Sequence, residues 1–76
     1  MIMEIEVELF GQLSIGKQRK QNLNLDQLLE VREVAVLLGL NLEQIGLITI
    51  DGVQSEMEDV ISPGCRLCFF PPMSGG

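Results

Sequence analysis

Along residues 2–9 apolar and acidic positions alternate: Ile5, Val7 and Leu9 fall on one side, Glu4, Glu6 and Glu8 on the other. Side chains along a strand point alternately to opposite faces, so this run predicts a half-buried strand with a solvated acidic face. Carboxylates spaced along one strand rarely converge, so the three glutamates read as a solvent face and not as a metal site. Gly11 and Gly16 bracket a loop, and Arg19–Leu25 alternates again through Leu23 and Leu25. Together these segments predict an N-terminal hairpin.

The period then changes. Leu28, Val31, Ala35 and Leu38 recur at intervals of three and four, with Gln27, Glu30 and Glu33 turned away, which predicts a helix within Asp26–Leu40. Asp26 is a candidate cap, Glu30 an alternative start, and Gly39 a left-handed stop. Asn41–Ile45 reads as a short capped turn. Leu47–Ile50 is an apolar run closed by Asp51-Gly52, and it predicts a buried central strand followed by a tight turn. Glu56–Ile61 is mixed in character, and Pro63-Gly64 forms another turn. Cys65–Phe70 predicts the last strand, with Leu67 and Phe69 on one face and Arg66, Cys68 and Phe70 on the other. Hairpin, helix and further strands in one short chain give an α+β class, with a mixed sheet packed on one main helix.

At 76 residues the chain has room for one domain, near the lower limit for an unaided hydrophobic core. Having no Trp or Tyr, it must build that core largely from Leu, Ile and Val. Its longest apolar run, Val34–Leu40, is too short to span a bilayer, and the N-terminus lacks a basic leader, so a cytoplasmic protein is expected. A formal charge of −6 argues against nucleic acid as a partner, because phosphate binding needs clustered cations. Lys17, Arg19 and Lys20 do cluster, but three cations in a polar turn fit solvation equally well.

Cys65 and Cys68 suggest at first a redox pair or half a zinc site. The chain has no His and no other Cys to complete a four-ligand set, so no metal is expected. On a strand, positions three apart lie on opposite faces, which also keeps the two sulfurs from meeting. Without His there is no Ser-His or Cys-His nucleophile pair, and no phosphate-binding glycine loop is present. The chain is therefore not expected to be an enzyme on its own.

The C-terminus is the unusual feature. Phe69-Phe70 leads into Pro71-Pro72, whose rings fix φ at two successive residues, and then into Met73, Ser74, Gly75 and Gly76. Fully extended, residues 71–76 reach ~20 Å at about 3.3–3.6 Å per residue. A thin tail ending in two residues without side chains, and in a free carboxylate, suits a narrow channel leading to another protein's active site.

The segment Phe69-Phe-Pro-Pro-Met-Ser-Gly-Gly76 resembles the C-terminus of the small subunit of molybdopterin synthase, within the ubiquitin-like sulfur carriers. Leu9–Leu13, Val31–Val34, Ile50–Gly52 and Pro63-Gly64 support the resemblance through the rest of the chain. Cys65 departs from it, standing where that family usually has an acidic residue. The resemblance implies a β-grasp domain over residues 1–70 and a flexible, extended C-terminal tail over 71–76. It further implies that Gly76, aided by Gly75, is adenylated and converted to a thiocarboxylate that donates sulfur in molybdenum or tungsten cofactor biosynthesis. Phe70, Pro71, Pro72, Met73 and Ser74 would then meet partners. Those partners are an adenylating enzyme, the larger catalytic subunit, and a sulfur donor such as a cysteine desulfurase or rhodanese-like protein. No cofactor is bound, and ATP is used by the activating partner. A thiamine-type carrier, which generally lacks the diproline, and a protein modifier conjugated through Gly76 are the alternatives.

Overall fold

A computed structural model describes residues 2–73. Strand β1 (Met3–Leu9) pairs antiparallel with β2 (Lys20–Leu25) across a loop containing a 3-10 turn at Gly11–Ser14. Helix α1 (Val31–Leu37) and a second 3-10 turn (Leu42–Gln44) follow, then β3 (Leu47–Ile50), β4 (Val53–Ser55) and β5 (Arg66–Phe70). The sheet order is β2-β1-β5-β3-β4. Only β1 and β5 run parallel; the other neighbours are antiparallel. A mixed five-stranded sheet packed on one main helix is the β-grasp, ubiquitin-like fold that the resemblance implied.

One face of the sheet carries the core. Ile5, Val7, Leu9, Leu25, Ile48, Leu67 and Phe69 meet Val31, Val34 and Ala35 of the helix, with Leu13, Leu29, Leu40, Ile61 and Cys65 closing the margins. Val7, Leu9, Val31, Val34, Leu67 and Phe69 are all 0% exposed, so this face is dry.

The helix is shorter than its hydrophobic period indicated. It begins after Glu30, whose backbone N–H donates to the Glu33 carboxylate at 2.9 Å, and not at Asp26. The cause is tertiary. The Val31 and Arg32 N–H groups donate to the carbonyls of Asp59 (2.9 Å) and Met57 (3.1 Å), and Ile61 donates to Leu29 at 2.8 Å. These bonds hold residues 29–32 against the β4–β5 connection. Residues 26–29 stay outside the helix, and Leu28 is 62% exposed. Gly39 ends the helix at φ 75°, with Leu40 N–H reaching back to the Ala35 carbonyl at 3.0 Å.

Two further strands differ from expectation. β3 is inner in the sheet but only Ile48 of its four residues is buried: Ile48 and Ile50 turn to the core, while Leu47 and Thr49 lie outside it, and the neighbour beyond is β4, a three-residue edge strand that the pattern did not reveal. The β3–β4 turn is as read: Asp51 and Gly52 both have positive φ, 52° and 82°, the geometry of a type I′ hairpin turn.

Candidate functional site: the outer sheet face and the exit of the tail

On the sheet face away from the helix, the even-numbered positions of β1 and β5 line up. The parallel register sets Glu6 beside Arg66 and Glu8 beside Cys68, while the antiparallel one sets Leu47 beside Phe70. Phe70 thus lies outside the core cluster, on the same face as Arg66 and Cys68, as the alternation predicted. It is half-buried, because its ring stacks on Phe10 with centroids 4.4 Å apart and planes 9° from parallel. Phe10 reaches this position because its N–H donates to the Phe69 carbonyl at 3.1 Å, carrying the β1–β5 pairing one residue past β1.

The Arg19 guanidinium stands 5.6 Å from the Phe10 ring centroid, so a cation faces the aromatic pair. Leu47, 39% exposed, borders the pair on the β3 side. Phe10, Arg19 and Leu47 do not stand out in the sequence as site residues. Phe10 has the same parity as Glu4, Glu6 and Glu8, but only the strand register brings it against Phe70.

Beside this platform the acidic stripe of β1 is not uniformly solvated. Glu4 is exposed and Glu6 intermediate, but Glu8 is 7% exposed and bonded to the Arg66 guanidinium, with Arg19 at 3.7 Å. The hydrogen bond from Arg66 holds the Glu8 carboxyl below the ordinary range despite its burial, and raises Arg66 in turn. Asp51 accepts from the Arg66 N–H at 2.9 Å, fixing the start of β5 to the β3–β4 turn.

Both cysteines are free and buried. Cys65 joins the core and Cys68 does not, so they lie on opposite faces as strand geometry required. Burial pushes the Cys65 thiol up, which keeps it protonated and a poor nucleophile. Among the described residues no group of His, Cys, Asp and Glu is arranged to hold a metal ion. No helix among them is long and apolar enough to cross a membrane.

The tail leaves beside the aromatic pair. Pro71 is half-buried, Pro72 exposed, and Met73 94% exposed. The first proline is seated on the domain: the Gly46 N–H donates to the Phe70 carbonyl at 2.8 Å, and Pro71 lies over Gly11. Ser74, Gly75 and Gly76, which the resemblance makes central, lie outside the described residues.

A β-grasp domain with an aromatic platform at the root of its C-terminal tail is the class of protein that fold and site define. No protein-family model and no curated protein sequence matches the chain. Its structure is similar to the solution structure of the HVO 2177 protein of Haloferax volcanii, with TM-score 0.75 and 21% identity over 99% of this chain and 88% of that one. It is also similar to the crystal structure of SAMP1 from Haloferax volcanii, with TM-score 0.70 and 22% identity over 96% and 99% of the two chains. At such identities the likeness is one of fold.

Proposed function

We propose that this chain is a sulfur carrier, activated at the Gly76 carboxylate and serving molybdopterin biosynthesis. The observation that carries the reading is the joint placement of platform and tail. Phe10, Phe70 and Leu47 form an apolar docking surface where the diproline leads the Gly-Gly terminus away. Half-buried aromatic groups at a surface are favoured anchors of protein interfaces, and a partner seated there meets the start of the tail at the same time.

The chemistry follows from the carboxylate, which is a poor electrophile until its oxygen is given a good leaving group. A Gly76 oxygen attacks the α-phosphorus of ATP on the activating enzyme, and pyrophosphate departs. A donor persulfide then attacks the carbonyl carbon and displaces AMP. A second donor thiol cleaves the resulting acyl disulfide, leaving the thiocarboxylate on Gly76 and a disulfide on the donor. The larger synthase subunit supplies the groups that pass this sulfur to a pterin precursor.

This chain contributes the docking face and the reactive end, and its buried cysteines take no part. In the second reading, a protein modifier, the Gly76 acyl group of the same adenylate passes to a lysine amine as AMP leaves, forming an isopeptide bond; the fold shared with SAMP1 is compatible with it. Intact-mass measurement on protein purified from its native host separates the two. The carrier shows the mass gain of one carboxyl oxygen exchanged for sulfur, and the modifier shows conjugates to other proteins. Deletion of Gly76 should abolish either product while leaving the melting temperature unchanged. Loading that survives this deletion and maps, by mass of the proteolytic fragments, away from the new C-terminal residue would exclude the terminus as the reactive end.

A further inference from the structure

Two glycines border the tail, for different reasons. Gly11 has φ 58°, a conformation that itself favours glycine, and a Cβ there would meet only the movable ring of Pro71, at 2.9 Å from Cγ. Gly46 is not among the glycines with positive φ, so its backbone does not demand glycine. What demands it is clearance. A Cβ on Gly46 would stand 2.7 Å from the Pro72 nitrogen and 2.9 Å from the Pro71 carbonyl oxygen, and closer still to the Pro72 Cα.

All three are backbone atoms, in residues whose φ is locked by the proline ring, so no side-chain rotation relieves the clash. The β3–β5 register sets Leu47 opposite Phe70, so the bond from Gly46 N–H to the Phe70 carbonyl falls one residue out of step with it. The regular pairing ends here, since proline offers no N–H to extend it. The diproline is thus pressed against a bare stretch of backbone at the mouth of β3, and its direction of departure is set there.

We propose that Gly46 is a positioning residue. By allowing Pro71-Pro72 to pass in contact with its own bare backbone, it fixes the direction in which the chain leaves the docking face at the root of the tail. This rests on the reading that Gly76 is the activated end. A partner that grips the Phe10–Phe70 platform offers its carboxylate-binding channel at a fixed distance and angle, so the tail must leave along one line. An alanine at position 46 forces the prolines outward and breaks the bond to the Phe70 backbone, while the ring stack of Phe10 on Phe70 remains as the docking element. Docking then survives while delivery fails.

The test uses the host's adenylating enzyme, assayed as carrier-dependent exchange of labelled pyrophosphate into ATP. For Gly46→Ala, KM for the carrier stays near the wild-type value and kcat falls on the order of 10- to 100-fold, the scale of a misplacement of about 1 Å. Amide exchange at position 46 quickens as the bond to Phe70 is lost. Gly52→Ala is the control for glycine loss alone: its φ is 82° and nothing lies within 4 Å of its Cβ position. It should lose stability and keep kcat.

Pro72→Gly gives an independent measurement in a chain with Gly46 intact. Freed φ lets the tail wander, and kcat falls with KM held. If wild-type carrier supports no exchange, the activation reading fails. If wild type supports exchange, and folded Gly46→Ala or Pro72→Gly supports it at the same kcat, the positioning role is overturned.

Discussion

Phe69 and Phe70 are neighbours in sequence and opposites in environment. Phe69 is 0% exposed within the helix-covered core, while Phe70 lies on the outer face against Phe10. One step of strand pleat separates a ring enclosed in the core from a ring left half-exposed on the outer face. The two faces have correspondingly different chemistry. The inner one is a closed apolar layer; the outer one is a mosaic of an aromatic pair, a half-buried ion pair and a small thiol. Under the docking role proposed above, the outer face keeps polar groups to fix orientation, and surrenders the packing density that makes the inner face stable.

Truncating each ring in turn puts the contrast under the heaviest load. Phe69→Ala should cost about 3–5 kcal/mol of folding stability, enough to leave so small a domain largely unfolded in a thermal melt. Phe70→Ala should cost the domain only the stacking with Phe10, ~0.5–1.5 kcal/mol. It should weaken association with the activating enzyme by ~2 kcal/mol or more, measurable by titration calorimetry. Equal losses of stability in the two variants would mean that the outer ring is structural and the platform is not a docking site.

A smaller effect separates the ion pair from the rest of the outer face. Glu8 has its carboxyl held down by Arg66, so its contribution to stability is present above the ordinary carboxylate range and is lost as pH falls through the lowered value. Glu8→Gln should melt below wild type at neutral pH, and the gap should close on acidification. Some acid sensitivity should remain in the variant. Asp59, held down by the Ser55 hydroxyl and the Glu56 N–H, titrates in the same direction. A gap that stays constant with pH would show that the Arg66 contact does not stabilise the charged carboxylate.

The smallest effect concerns the thiols. Cys68→Ala removes a buried sulfur from the outer face, and Cys65→Ala one from the core. Sulfur loading of Gly76 should be unchanged in both, with only the core variant losing measurable stability. Loss of loading in a folded Cys68→Ala protein would point to a thiol relay.

Much of the fold is legible in the sequence because its signals are local. The period of two in β1, the Asp51-Gly52 turn, the Gly39 stop and the parity of Cys65–Phe70 each depend on residues close in sequence. The helix start is only half legible: Glu30 is one of its two candidate starts and a capping box with Glu33 marks it, but nothing local decides between it and Asp26. Asp26 has the right side chain for a cap, but the backbone carbonyls of Met57 and Asp59 fix the first turn from across the molecule. β4 leaves no trace in the pattern because three residues with two exposed side chains carry no period.

At the site, Phe70 and Pro71 can be read from sequence, whereas the roles of Phe10, Arg19 and Gly46 cannot. Each of these three matters through a contact that strand pairing creates, and Gly46 in particular looks like any loop glycine until Pro72 is placed beside it. Glu8 reads as solvated because alternation reports which face a residue takes, not what lies on that face.

The parallel pairing of β1 with β5 also governs when this protein can exist as a folded object. The two strands are far apart in the sequence, and β5 sits at the centre of the sheet. No smaller set of neighbouring elements closes the core, so the nascent chain must release Phe69 from the ribosome before the first strand finds its central neighbour. Contacts so distant in sequence slow the search and make it all-or-none. A chain broken off before β5 therefore does not become a shortened but folded domain. It stays unfolded and open to proteolysis, and synthesis itself becomes the check that the outer face forms only together with the root of the tail.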